Sequence, residues 1–418
     1  MLDFFINSIF RNPPVLLGLI AALGLALEKQ SLANIIKGAF LAAFGMVLIN
    51  TGVSMVSGVI TPISQAFQLA TGGVVSEGLN DATFLSTYGG AVGISMAIAI
   101  ILHVLIARFT KFKVIFLTGH MLWWFPFIFV AAGVEGGLTG TPLVIFASIC
   151  SALYFSIMPW IMRKYVFAVT GEKSFTIGHP TGVLSLLSGF IASKVGNKEK
   201  STEDLNLPKG LSFFKEISIT AAIVMFILFI VIGLTIGGLD TSGSDLITYS
   251  FTEALSFGAG IIILLQGVRM LINQIVPAFK GISDKLVPNA IPAFDCPMVF
   301  SYKPNALMIG FLIALVTSTI MVIITNTTDM FGILLIPLVF TSFFELGTAA
   351  IIGEGQGGLR GCVIGTICVA IVAVLIMGVS CVMYSHTIQN WMLVFGGNDF
   401  SFFGTIGYWI ANLFGGII

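Results

Sequence analysis

The chain reads as an all-α, polytopic membrane protein with re-entrant hairpins and an inverted internal repeat. Three observations predict this. Of its 418 residues, 57% are hydrophobic and 9% are charged, against about 25% charged in a soluble domain. Apolar runs that approach or reach the length needed to cross a bilayer, about 20 residues, recur from end to end. Prolines and glycines interrupt several of these runs, and broken backbone at membrane depth survives only where protein buries it or it lines a wet cavity.

The apolar runs predict spans at 14–27, 36–60, 88–107, 114–133, 143–162, 217–238, 248–276, 303–325, 329–351, 361–385 and 400–417, about eleven in all. The first follows Arg11 and has the outline of a signal peptide, but is expected to be a membrane segment. The one long polar segment, Arg163 to Glu216, is basic, and so is the short link from Arg108 to Lys113. Basic connections favour the cytoplasmic side. Two spans separate these links, so both can lie inside. The connection from Gly237 to Asp245 has no Lys or Arg and then lies outside.

Composition also excludes function classes. A net charge of zero implies no nucleic-acid partner. No phosphate-binding G-x-x-x-x-G-K-[ST] loop is present, so no ATPase is built in. The five cysteines lack CxxC spacing and read as packing residues. The four histidines never show HxxxH spacing, so no metal site, metalloenzyme or cofactor is expected.

A shift of 215 residues aligns Gly45, Gly52, Val53, Met55, Ile60 and Pro62 with Gly260, Gly267, Val268, Met270, Ile275 and Pro277. The same shift aligns Ser86, Ala91, Ile94, Ile98 and Ala99 with Ser301, Ala306, Ile309, Ile313 and Ala314. Five predicted spans separate the paired elements, and an odd number inverts the second copy. Inverted repeats place substrate at the repeat interface near the midplane of secondary transporters. The shift also sets Asn80, beside Asp81, against Asp295.

Asp295 lies among Pro288, Pro292, Pro297 and Pro304. Each proline removes an N–H donor and restricts its predecessor, so no straight helix runs through. A carboxylate at such a break is a substrate-site candidate. His120 sits between Gly119 and Pro126 in another interrupted stretch, followed by Trp123 and Trp124. A histidine there can hold a hydroxyl, and an indole can cover the C–H face of a sugar. His179 lies in an apolar, Gly/Pro-rich island, FTIGHPTG at 175–182, which is either a hairpin or an amphipathic surface helix. His103 reads as a packing or interfacial residue. The stretch IGEGQGGLR at 352–360 is too glycine-rich for a stable helix interior. It is either a second re-entrant tip carrying Glu354 or Gln356 to the site or an ordinary loop with Glu354 and Arg360 solvated. Arg269 in its apolar run reads as structural or interfacial.

These blocks carry a resemblance. LTGH at 117–120, FTIGH at 175–179, QGVRM at 266–270, AFKGIS at 278–283, Asp295-Cys296 and PNA at 304–306 resemble the ascorbate-type membrane (IIC) component of the bacterial phosphotransferase system. The chain is more distant from the galactitol type. The resemblance implies a homodimer in the bacterial cytoplasmic membrane, moving like an elevator. Scaffold and dimerisation elements would lie at 14–66 and 217–282, and a substrate-binding core at 80–200 and 288–418. It implies soluble IIA and IIB partners, with phosphate delivered to a sugar or sugar acid from a phosphocysteine of IIB. No residue of this chain would be phosphorylated, so the chain is a transport subunit rather than a stand-alone enzyme. By the family pattern His120, His179 and Asp295 contact substrate, and Ser86, Asn80 and Gln356 are further candidates. Trp124 and Pro180 stand where the ascorbate type places glutamines, so ascorbate and a related pentose or polyol both remain candidate substrates. The expected mechanism has substrate hydroxyls bridging Asp295, His120 and His179, with Trp124 over an apolar face and Asp295 or His179 taking the proton as phosphate transfers. The alternative is an ion-coupled secondary transporter using Asp295 as its ion site.

Overall fold

The computed structural model describes residues 12–70, 81–204, 216–236, 238–241, 243–285 and 287–415. These residues form α1 (Pro13–Leu27), α2 (Leu32–Ala70), α3 (Asp81–Phe109), β1 (Val114–Phe116), α4 (Met121–Glu135), α5 (Gly140–Thr170), β2 (Thr176–Ile177), α6 (Gly182–Val195), α7 (Ile217–Thr235), α8 (Leu246–Lys285), β3 (Ile291–Phe294), α9 (Pro304–Thr327), α10 (Val339–Met383), α11 (Gln389–Phe395) and α12 (Asp399–Gly415). Six of the described helices, α2, α3, α5, α8, α9 and α10, are long and apolar enough to cross a membrane. At 15 and 14 residues, α4 and α6 extend only about 22 Å, short of a hydrocarbon core about 30 Å thick.

Helices α2 and α8 pack through glycine. A Cβ on Gly45 would lie 2.7 Å from the Leu271 nitrogen, and one on Gly267 would lie 2.7 Å from the Gly45 carbonyl oxygen. Gly52 meets Gly260 likewise, its added Cβ 2.7 Å from the Gly260 carbonyl. Small residues let membrane helices approach backbone to backbone. Both helices also contain a proline, Pro62 and Pro277.

The chain is not wholly helical. Three strands form a parallel sheet in the order β1-β3-β2. Val114, Ile115 and Phe116 pair with Ile291, Pro292 and Ala293, while Thr176 and Ile177 pair with Ala293 and Phe294. The expected span 114–133 therefore begins as a strand and becomes helical only at Met121. The physical reason lies in β3. Its odd residues face β1: Ile291 N donates to the Lys113 carbonyl and the Ala293 carbonyl accepts from Leu117 N. Pro292, which has no N–H, thus faces the β2 side one residue before β2 begins to pair. A proline-rich segment that cannot be helical satisfies its backbone by pairing instead.

The expected span 329–351 is shortened at its start, whereas 361–385 holds as a separate helical arm. Residues 331–338 are non-helical, and α10 (Val339–Met383) is two helical arms that fold back on each other at Gly357–Gly358, where a Cβ on Gly361 would lie 2.7 Å from the Gly353 carbonyl oxygen. Asn326 closes the non-helical stretch, accepting from Leu335 N at 2.9 Å and donating to the Leu335 carbonyl at 2.9 Å. The stretch 352–360 holds the turn between the two arms, so the chain does reverse there, but it does not carry Glu354 or Gln356 to the site. Non-helical angles are confined to Gly357 and Gly358, the latter at φ 60° and ψ −157°, a region open essentially only to glycine. Glu354 is buried and pairs with Lys303 at 3.1 Å, instead of reaching substrate or solvent. Arg360 is exposed, and so is Arg269 on α8.

Candidate functional site

The parallel sheet delivers three side chains from one edge. Leaving β1, the chain passes Leu117 to Gly119 and reaches His120 just before α4; leaving β2 it reaches His179 after one residue; leaving β3 it reaches Asp295 at once. Because the strands are parallel, all three leave the carboxyl edge, where α/β sheets hold their ligands. His103 pins the outer strand: it is buried, its Nδ1 2.8 Å from the Ser156 hydroxyl, and its Nε2 accepts from Phe116 N at 3.0 Å.

Asp295 is central. Its Oδ1 accepts from Cys296 N at 2.7 Å, capping the short helical turn Cys296–Val299. His179 Nε2 lies 3.4 Å from Oδ1, and His120 Nε2 lies 3.5 Å from Oδ2. His179 is 6% exposed and His120 37%, so one ring is locked in protein while the other opens to the cavity. The ligating atoms of the three residues lie within 4.8 Å of one another, a grouping that could also seat a cation. The imidazoles and carboxylate can together donate to and accept from a polyhydroxy ligand.

The His179 loop is held from behind. Asp399, buried at the start of α12, accepts from Gly182 N and Val183 N, each at 2.9 Å, and so caps α6. The Tyr154 hydroxyl lies 2.5 Å from Asp399 Oδ2 and 3.1 Å from the His179 carbonyl. Asp399 N donates to the Pro180 carbonyl, and the Thr181 hydroxyl donates to the Glu345 carbonyl at 2.7 Å.

A cavity of about 480 Å³ opens over the cluster. Its polar lining comprises His120, His179, Asp295, Glu345, Thr341 and, from α2, Asn50, Ser54 and Ser57. Its aromatic lining comprises Trp124, Trp391, Phe340, Phe344, Phe395 and Phe400. Trp124 and Trp391 lie 5.2 Å apart between ring centres. No Lys or Arg lines the cavity among the described residues. Glu345 is buried, with Oε1 accepting from Asn398 at 3.0 Å.

Of the residues singled out from sequence, His120, His179, Asp295 and Trp124 meet at this cavity. Pro180 is buried beside His179, but its carbonyl is turned to Asp399 and it does not line the cavity. Ser86 is exposed on α3, and Gln356 lies half-buried next to the α10 turn; neither lines the cavity. Asn80 lies outside the described residues. Sequence reasoning marked Glu345 only as a notable charge, without a place at the site, and did not reach Asn50, Ser54, Ser57 or Trp391. One available signal was a stripe: Asn50, Ser54 and Ser57 recur at helical spacing in an otherwise apolar run.

Comparison with known proteins agrees with this picture. The model of the EIIC-GAT family, described as the sugar-specific permease component of the PTS (phosphotransferase) system, matches residues 8–387. The "Ascorbate-specific PTS system EIIC component" of Mycoplasma pneumoniae (strain ATCC 29342 / M129 / Subtype 1) is 24% identical over 420 residues, covering 85% of this chain and 63% of that protein. The chain thus spans less than two thirds of that relative's length.

Proposed function

This chain belongs to the sugar-specific permease family of the phosphotransferase system and is a multi-pass protein of the cytoplasmic membrane, and we propose that it binds a sugar-like substrate at His120, His179 and Asp295 and carries it inward for phosphorylation by a separate IIB partner. The observation that carries this reading is the convergence of these residues on one edge of the buried sheet, at a cavity lined by both polar and aromatic side chains. Substrate hydroxyls donate to Asp295 and exchange hydrogen bonds with His120 and His179, while Trp124 lies against the C–H face.

The substrate class follows from the same lining. Asp295 and the buried Glu345 line the cavity, and no Lys or Arg does among the described residues. Asp295, when ionised, accepts but does not donate, and it repels an anion. A neutral pentose or polyol therefore fits this cavity better than an ascorbate anion.

We assign α1, α2, α7 and α8 to a scaffold and α3 to α6 with α9 to α12 to a mobile substrate core, in an elevator-type homodimer. The packing of Gly45 on Gly267 and of Gly52 on Gly260 supports an inverted repeat. Under the 215-residue shift each glycine meets the other's counterpart, as surfaces related by a two-fold axis do.

The test uses membrane vesicles charged with a phosphorylated IIB partner. Labelled pentoses and polyols are offered, and internal product is separated by charge. Phosphorylated product is expected with the native protein and none with Asp295→Asn, at unchanged folded yield. Uptake of unmodified solute that follows an ion gradient would replace this reading by an ion-coupled carrier.

A further inference from the structure

A second cavity, of about 450 Å³, lies away from the first, against the turn of α10. It is lined by Asn197, Lys200, Leu359, Arg360, Val363 and Ile364. Lys200 and Arg360 are exposed, and neither side chain has a hydrogen-bond or ion-pair partner among the described residues. No acidic residue lines the cavity. Below the two cations the wall is aliphatic, and one turn beyond Val363 comes Ile367, which is 38% exposed. Cationic head and apolar flank thus follow one another along the outer side of a membrane-crossing helix.

The backbone builds this arrangement. The Lys200 carbonyl accepts from Leu359 N at 2.7 Å, and Asn197 N donates to the Gly357 carbonyl at 2.8 Å. Gly358 takes its positive φ there, and a Cβ on it would collide with the Asn197 and Lys200 carbonyls. Lys200 is therefore pinned to the residue next to Arg360. The second half of α10 also restarts at this point, and the positive end of its dipole adds to the two charges.

We propose that this cavity is a binding site for an anionic glycerophospholipid, with the phosphate between Lys200 and Arg360 and an acyl chain along Val363, Ile364 and Ile367. Charge complementarity selects the headgroup, and the membrane-facing aliphatic wall selects a lipid over a soluble anion. Basic pockets at the cytoplasmic edge of helix bundles hold anionic headgroups, and Lys194 and Lys198 give this face the cytoplasmic charge bias.

The full chain, purified in neutral detergent, is titrated with phosphatidylglycerol, with phosphatidylcholine of the same chains and with inorganic phosphate, and the unfolding midpoint is followed. Phosphatidylglycerol alone is expected to raise it. At about 1 kcal/mol for each cation at an anionic surface, Lys200→Gln with Arg360→Gln weakens that response about 30-fold. Lys164→Gln with Lys173→Gln, two exposed cations elsewhere, leaves it unchanged. Ile364→Trp fills the aliphatic groove without altering charge and is expected to lose the response as well, so the test does not hang on one variant. An equal response to phosphatidylcholine, a response to inorganic phosphate alone, or an undiminished response in a folded variant of either kind overturns the proposal.

Discussion

Two of the breaks in the apolar backbone lie across Ile291–Val299 and at Gly357–Gly358. At the first, the strand pairs on both sides and then releases Asp295 toward the cavity. At the second, residues 197–200 seal the break with backbone hydrogen bonds, and Ser201 and Lys303 occupy Glu354. Both stretches read alike in sequence, as proline- or glycine-rich interruptions beside a carboxylate. A break becomes a site when neighbouring backbone satisfies it and leaves the side chain free. It becomes a joint when neighbouring side chains occupy the carboxylate as well.

Substitutions that separate stability from binding test this difference. Lys303→Met leaves Glu354 buried without its partner and is expected to cost about 3–5 kcal/mol of stability, read as a lower unfolding midpoint, while substrate affinity of the remaining folded protein is unchanged. Gly358→Ala forces a side chain into a glycine-only conformation against two carbonyls, for about 3 kcal/mol, again without altered affinity. Asp295→Asn reverses the pattern: substrate affinity falls about 100-fold, or about 2.7 kcal/mol from two charge-assisted hydrogen bonds, with the midpoint held. A stability loss in Asp295→Asn matching that of Gly358→Ala would erase the distinction. Asp399→Asn lies between the two, since it weakens the α6 cap and the His179 loop together by about 1–2 kcal/mol, visible as about a tenfold loss of affinity with a small drop in midpoint. Chelator treatment is expected to leave affinity unchanged; a loss would place a cation among His120, His179 and Asp295.

The site's acid and two histidines were legible because each is a polar residue beside a Gly or Pro in an apolar run. Glu345 and Asp399 were not, because their neighbours Asn398, Tyr154 and Gly182 come from remote segments that only the fold assembles. Long spans such as α2, α8 and α9 could be read from hydropathy, although their carboxyl-terminal ends extend beyond the predicted limits. Strands of two to four residues are too short to show a period of two, so the sheet escaped detection. Gln356 stands next to a true chain reversal at Gly357–Gly358, as its glycines suggest, but that turn pairs with Asn197 and Lys200 rather than facing the cavity.

The strand order sets a timetable for biogenesis. β3 lies between β1 and β2, yet it is synthesised last, and from Ile177 to Ile291 is 114 residues. At about 5–20 residues per second, the two outer strands wait roughly ten seconds for the strand that joins them. Until then the edges that will present His120 and His179 have no native partner, and they depend on the insertion machinery or on provisional contacts for shelter. The ligand cluster therefore forms as a late event in membrane insertion, when the arrival of Ile291–Phe294 closes the sheet and brings Asp295 with it.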